Sequence, residues 1–280
     1  MSHDAVSRDA TSHVAVSANA PLAVITGASS GLGAVFARKL AARGYNLVLA
    51  ARRMERLEEL QWELEHAHHV HVEPYCIDLT DDIQVEDFAK RLETESPIDL
   101  LVNNAGFGTK GLFHTADYAR QVEMHKLHVM APLRLTRAVL PAMIARQAGA
   151  IINVASVAGF FSSAGSVSYC ATKDWLLRFS EGLRIELDTL GSPVIVQALC
   201  PGFTFTEFHD VLGSDRNRIP DQLWMPAEFV VEKSLKALAK RKLIVIPGWR
   251  YKLIVGIGRR IPVWLRLKLE AGSPHAKTRE

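Results

Sequence analysis

Leu22-Ala23-Val24-Ile25-Thr26-Gly27-Ala28-Ser29-Ser30-Gly31-Leu32-Gly33 decides how the rest of the chain is read. Its first four residues form a short apolar strand. Thr26 to Gly33 is a glycine-rich turn, and Ala34 to Arg43 continues as a helix with Val35, Phe36 and Leu40 at core-facing spacing. A strand that enters a helix through such a turn can hold a dinucleotide. Glycine allows the tight turn and lets backbone approach a pyrophosphate, while the helix N-terminus offers N–H donors and the positive end of its dipole. The spacing is Gly-x-x-x-Gly-x-Gly, not Gly-x-Gly-x-x-Gly, so a plain strand-to-helix turn is the competing reading.

The next strand, Asn46 to Ala50, closes in Ala51-Arg52-Arg53. A site for NAD(H) usually presents an acid here to the ribose diol, whereas a guanidinium pairs with a 2′-phosphate. With no acid present, Arg52 and Arg53 predict NADP(H) over NAD(H). The alternative is that they merely open a solvated helix, Met54 to about His66, which carries Leu57, Leu60 and Leu64 on one face. His66, His68, His69 and His71 straddle a helix end and the following strand, so no metal site is expected of them. Val70 to Ile77 is a third strand, followed by Asp78-Leu79-Thr80. Asp78 is placed to meet an adenine amino group, or to cap a helix near Asp81–Glu93. Ile98 to Val102 is a fourth strand and leads into Asn103-Asn104-Ala105-Gly106.

Four strands alternating with three helices predict a single-domain α/β fold, a doubly wound parallel sheet of Rossmann-like build. Ligands of such sheets lie beyond the carboxyl ends of the strands. The glycine turn, Arg52, Asp78 and Asn104 all fall there. Further on, the pattern predicts a long helix from about Tyr118 to Arg146, a strand from Gly149 to Val154, a helix from Ser168 to about Leu190 and a strand from Pro193 to Leu199. A helix from Pro226 to Arg241 and a strand from Leu243 to Ile246 follow.

At 280 residues and 48% hydrophobic, the chain can bury one large core. A net charge of +3 gives no general field for a polyanion, so no nucleic-acid partner is expected. Cys76, Cys170 and Cys200 are odd in number and far apart, which fits a reducing cytoplasm better than a disulfide framework. No apolar run reaches the ~18 residues of a membrane span. Residues 1–20 lack a hydrophobic segment and read as a disordered tail. Asp4 and Asp9 argue against a transit peptide.

Tyr169-Cys170-Ala171-Thr172-Lys173 sets a phenol and an ammonium four residues apart, on one face of a helix. A tyrosine ionises near pH ~10, and a fixed cation beside it lowers that value, which makes the pair a candidate general acid/base. With the glycine turn, Asn103-Asn104-Ala105-Gly106, Ser156 and Pro201-Gly202, the chain resembles the short-chain dehydrogenase/reductase family from about Leu22 to Ile246. Ser156 precedes Tyr169 by thirteen positions, similar to the family's usual interval.

The resemblance implies hydride transfer between NADP(H) and a carbonyl/alcohol substrate. Tyr169 would be the proton donor or acceptor, Ser156 would hold the substrate oxygen, and Lys173 would lower the tyrosine pKa and bind the nicotinamide ribose. Cofactor contacts are implied for Gly27, Ser29, Ser30, Gly31, Leu32 and Gly33 in the turn, and for Arg52, Arg53, Asp78 and Leu79 after the next two strands. Asn104, Ala105 and Gly106 after the fourth strand, Tyr169 and Lys173, and Pro201, Gly202, Thr204 and Thr206 after the sixth complete the set. No metal is implied. Homodimers or homotetramers built on the long helix and the Tyr-bearing helix are expected. A dinucleotide-sensing protein with little turnover is the alternative; sensors of this build tend to lose the Tyr or the Lys, and both remain here.

One position departs from the family pattern. Where a relay Asn is usual on the long helix, Leu127-His128-Val129 supplies His128. Imidazole can donate, accept and titrate near neutral pH, so His128 is expected either to take the relay role and add a titration, or to be a packing residue.

A lid is expected at about residues 203–225, holding Phe203, Phe205, Phe208, Val211 and Leu212, an apolar set suited to an apolar substrate. With that lid the domain spans 21–248. Residues 249–280 form a basic, apolar extension in which Trp249, Trp264 and several Arg and Lys interleave. Its expected roles are a peripheral bilayer contact, a subunit contact or a pocket cover.

Overall fold

The computed structural model of the chain describes residues 20–94, 97–109, 111–208 and 219–271, with side chains to 268. The expected tail, apart from residue 20, and the lid positions Val211 and Leu212 lie outside the described residues.

Strands β1 (Leu22–Thr26), β2 (Asn46–Ala51), β3 (Val72–Cys76), β4 (Ile98–Asn103), β5 (Ala150–Val154) and β6 (Ile195–Leu199) build the sheet. A short last strand, β9 (Ile244–Val245), closes it in the order β3-β2-β1-β4-β5-β6-β9, every neighbour parallel. Helices α1 (Gly31–Ala41), α2 (Met54–His68) and α3 (Asp82–Thr94) connect the first four strands. Because side chains alternate across a strand, β1 sends Ala23 and Ile25 to one helix layer, with Phe36 and Leu40, and Val24 to the other, with Phe88 and Leu135. Both faces are covered, so the strands read as apolar runs rather than as alternating ones.

The chain winds outward from β1 to β3, then returns to β4 on the other side of β1. That reversal opens a crevice at the carboxyl ends of β1 and β4, where a doubly wound sheet binds its ligand.

The long helix is continuous in space but not uniform. Helix α4 (Tyr118–His125) is followed by a π-helical turn at Lys126–Met130 and then by α5 (Ala131–Ala145). One extra residue per turn swings His128 inward, fully buried; such turns are frequent at functional sites. Helix α6 (Val167–Thr189) carries the Tyr/Lys pair.

After β6 comes a two-stranded parallel ribbon, β7 (Thr204–Phe205) with β8 (Met225–Pro226), which forms the base of the lid. Helix α7 (Ala227–Leu238) packs beside α1, and α8 (Trp249–Gly258) and α9 (Val263–Ala271) end the described chain. Helix α8 lies beyond the expected boundary at 248. Tyr251 and Val255 of α8 are 4% and 3% exposed, and the Tyr251 hydroxyl accepts from Phe203 N at 2.9 Å while donating to Leu223 O at 2.7 Å. Helix α8 thus packs on the segments that follow β6. Its Tyr251 hydroxyl joins Phe203 to Leu223, the two described flanks of the expected lid.

Candidate active site

The glycine turn is pinned by its neighbour across the sheet. Thr26 Oγ1 accepts from Asn104 N at 2.9 Å and from Ala105 N at 3.1 Å, and Asn104 Nδ2 donates to Thr26 O at 2.8 Å and to Gly27 O at 3.2 Å. This closeness is why the turn needs glycine. A Cβ on Gly33 would stand 2.3 Å from Gly27 O, and one on Gly27, whose φ is +67°, would stand 2.8 Å from Ala105 Cα. Helix α1 begins behind Ser30, and no side chain caps it. Its first-turn N–H groups and dipole end are therefore available to an anion. Such a cradle suits a dinucleotide pyrophosphate.

The basic residues at the end of β2 face the same mouth. Arg53 donates from Nε and Nη2 to Ser29 Oγ at 3.2 and 3.1 Å, so its guanidinium leans on the glycine turn. Arg52 lies 3.9 Å from Asp78, with its side chain largely exposed. Asp78 does not cap helix α3. Its Oδ1 accepts from Thr80 N and Oγ1 at 2.9 and 2.8 Å, and Asp81 does the capping by accepting from Ile83 N and Gln84 N. Asp78 is thereby held just beyond the carboxyl end of β3.

Ser156, Tyr169 and Lys173 share one hollow beyond β5 and β6. Lys173 Nζ stands 5.8 Å from the Tyr169 ring centre and donates to Val154 O at 2.8 Å. Ser156, 9% exposed, opens the short turn Val157–Phe160, accepts from Ala158 N at 3.1 Å and donates to Pro201 O at 3.4 Å. It also lies within hydrogen-bond reach of the Tyr169 hydroxyl. Gly106 joins the hollow to the nucleotide crevice, since a Cβ there would meet His128 Nε2 at 2.7 Å and Lys173 Nζ at 3.6 Å. The Tyr169 ring sits between His128, edge-on at 5.9 Å, and Phe208 of the lid, also at 5.9 Å.

Two electrostatic expectations change. Burial dominates at Tyr169 and pushes its pKa up to about 12, with the Ser156 hydrogen bond opposing. Burial likewise brings Lys173 down to about 7. The enclosure sets the direction, so the phenol is held protonated at neutral pH. His128 does not supply a titration near neutrality. Its Nε2 accepts from Phe107 N at 3.2 Å, which leaves Nδ1 protonated and donating to Thr172 Oγ1 at 2.9 Å. Burial first, and the Lys173 charge second, hold its pKa well below the usual histidine value. Thr172 Oγ1 in turn donates to Tyr169 O at 2.9 Å, so His128 braces the β4 loop against the Tyr-bearing helix.

Three other expected cofactor residues are also fixed by contacts within the fold. The Leu79 side chain is 5% exposed and belongs to the core. Thr204 is also buried, its Oγ1 donating to Gly202 O at 2.9 Å. Gly202 is glycine because of Tyr251, whose ring would stand 2.0 Å from a Cβ there. Thr206, by contrast, lies over the turn, 3.2 Å from where a Gly31 Cβ would be.

Sequence reasoning passed over Thr26 and Thr172, although each lies inside a quoted motif, because their roles are hydrogen bonds to distant backbone. It also passed over Tyr251 and Glu207, whose partners are far away in sequence.

A sequence profile of the short chain dehydrogenase family matches residues 21–217. An "NADP-dependent 3-hydroxy acid dehydrogenase" of Schizosaccharomyces pombe is 36% identical over 233 residues, covering 80% of this chain and 88% of that protein. Among solved structures, a short-chain dehydrogenase from Sphingobium yanoikuyae in complex with NADPH is 34% identical, with a TM-score of 0.78 over 90% of this chain and 96% of that one. A Burkholderia phymatum short-chain dehydrogenase/reductase in complex with NAD is 27% identical, with a TM-score of 0.76 over 90% and 95%. The glycine cradle, the parallel sheet and these likenesses agree: this chain belongs to the short-chain dehydrogenase/reductase family and is a nucleotide-dependent oxidoreductase acting on the hydroxyl/carbonyl pair.

Proposed function

We propose that the protein is an NADP(H)-dependent oxidoreductase of apolar carbonyl or alcohol substrates, with Tyr169 as its general acid/base. The observation that carries this reading is the partly buried phenol, with Ser156 beside it and a buried lysine behind it, at the end of the crevice that begins at the glycine turn. The bound nicotinamide cofactor supplies or accepts the hydride. Tyr169, protonated across neutral pH, gives its proton to the carbonyl oxygen in reduction and recovers it in oxidation. Ser156 donates to the same oxygen, so two fixed donors meet the negative charge that builds there. Lys173 holds the floor of the hollow and faces the cofactor ribose. A sensor without turnover is disfavoured, since Tyr, Lys and Ser are all present and assembled.

Selection of the 2′-phosphate rests on Arg52 and Arg53, with Ser29 held by Arg53. The S. pombe relative's name and the NADPH-bound neighbour favour the same cofactor, while the NAD-bound neighbour shows that the fold also admits the other. A double variant, R52A/R53A, is expected to weaken NADPH binding about 100-fold, the worth of two charge-assisted contacts, and to leave NADH within about threefold. Equal losses for both cofactors, read by titration calorimetry, would remove the phosphate assignment.

An apolar substrate is favoured by the walls. Phe208 lies against Tyr169, and Phe205 stacks on Trp224 at 5.1 Å above the lid base. Assembly through α4–α5 and α6 is proposed from the apolar side chains they expose, Val122, Met130, Leu133 and Ile185 among them. A cytoplasmic location is proposed from the three free thiols. The outward face of α8 and α9, where Trp249, Leu253, Ile257, Val263 and Trp264 are exposed among Arg250, Lys252 and Arg260, is proposed as a peripheral bilayer contact. No described helix is long and apolar enough to cross a membrane. A variant carrying W249S, L253S, I257S, V263S and W264S keeps Tyr251 in place, so it is expected to sediment as the wild-type oligomer and to lose flotation with anionic liposomes. Unchanged flotation would remove the bilayer contact, and a lost oligomer would make the face a subunit contact instead.

A further inference from the structure

Glu207 reaches from the base of the lid across to the end of β2. Its Oε2 accepts from Arg53 Nη1 at 3.0 Å, and its Oε1 lies 3.9 Å from Arg56 Nη1. The Arg53 hydrogen bond, foremost, holds its carboxyl below the usual glutamate range, so it is ionised at neutral pH. The pair joins residues 154 apart in sequence, and both side chains stay over 40% exposed, at 45% and 43%. Exposed pairs of this kind add little to stability. The contact matters instead for what it occupies. Arg53 gives Nε and Nη2 to Ser29, and its remaining edge, the fork a phosphate would use, goes to Glu207.

We propose that Glu207 is a specificity-determining residue, an internal carboxylate that competes with the cofactor's 2′-phosphate for Arg53 and so narrows the preference for phosphorylated over unphosphorylated dinucleotides. This rests on the reading of Arg53 as a phosphate ligand. Two anions on one guanidinium edge repel, so the phosphate must displace the carboxylate or accept its field. A ribose diol has no such conflict, because hydroxyls can donate to a carboxylate. The acid that sequence reasoning found missing after β2 is thus present, delivered from the lid.

The test is titration calorimetry on the intact protein with 2′,5′-ADP, NADPH and NADH, for the wild type, Glu207→Gln and Glu207→Ala. Removing one negative charge beside Arg53 is expected to tighten 2′,5′-ADP and NADPH about tenfold in both variants. NADH is expected to stay within about twofold or to weaken. Glutamine keeps the size and one acceptor oxygen, so agreement between the two variants separates charge from packing. An unchanged NADPH/NADH ratio overturns the proposal. So does weaker 2′,5′-ADP binding, which would mean that Glu207 merely props Arg53 for the phosphate. Arg53→Ala is the control on the underlying reading. If it leaves 2′,5′-ADP binding unaltered, the Arg53 assignment itself is wrong. If it weakens that binding while the Glu207 variants do nothing, only the competition fails.

Discussion

Tyr169→Phe is expected to lower the single-turnover rate of NADPH oxidation by an apolar ketone on the order of 10³-fold, the usual worth of a positioned general acid. The substitution removes one oxygen and leaves the ring in its place against His128 and Phe208. Melting temperature and NADPH affinity are therefore expected to hold, which separates chemistry from folding. The direction of the pKa shift sharpens the case. Burial pushes the Tyr169 phenol up to about 12, so the acid is loaded throughout neutral pH and reduction needs no prior protonation. Oxidation needs the phenolate, and its rate is expected to climb as pH rises from neutrality, with the climb lost in the variant. A variant that keeps more than about a tenth of the rate would mean that another group or water supplies the proton.

Lys173→Met is expected to make the protein more stable in acid and less stable in base than the wild type. Lys173 is 4% exposed, and burial brings its pKa down to about 7. An unfolded chain holds its lysines near ~10.4. Between these values the unfolded state binds a proton that the folded state does not, so wild-type stability rises with pH across that window, by roughly 4 kcal/mol in all. Below pH 7 both states are charged and the burial penalty is carried in full. Methionine has the same stem and no charge, so it escapes that penalty at every pH. It also leaves Val154 O, the acceptor of Lys173 Nζ, without its partner, a pH-independent loss of about 2 kcal/mol. The denaturation free energies of the two proteins should therefore cross between pH 7 and 10, with the variant ahead by roughly 2 kcal/mol at pH 6 and behind by a similar amount at pH 10. Parallel curves would show that the lysine is solvated. Turnover should be lost at every pH, because neither Phe nor Met can replace the pair.

The places where reading the chain succeeded share a property: each was a local pattern. Leu22 to Gly33 carries its strand, its turn and its helix start within one short run, and Gly33 is explained by a carbonyl six residues before it in the same turn. Tyr169 and Lys173 lie one helical turn apart, and the helix alone delivers them to one face. Where the reading went astray, the deciding partner was distant. His128 was legible as a departure, but its neutrality depends on Phe107 N and Thr172 Oγ1. Gly202 followed the family pattern, and its lack of a side chain answers to Tyr251, far along the chain. The lowering of the tyrosine pKa by Lys173 was a pairwise argument, and burial of the whole hollow reversed it.

The amino-acid order by itself determined the winding of the sheet, the glycine cradle and the spacing of serine, tyrosine and lysine, because hydrophobic period, turn chemistry and helical pitch act over a few residues. Only the folded molecule decided which groups are charged, which way Thr204 and Leu79 point, and that a lid glutamate shares an arginine with the adenosine side of the crevice. Those outcomes depend on desolvation and on contacts between segments far apart in the chain, and no short window of sequence contains them.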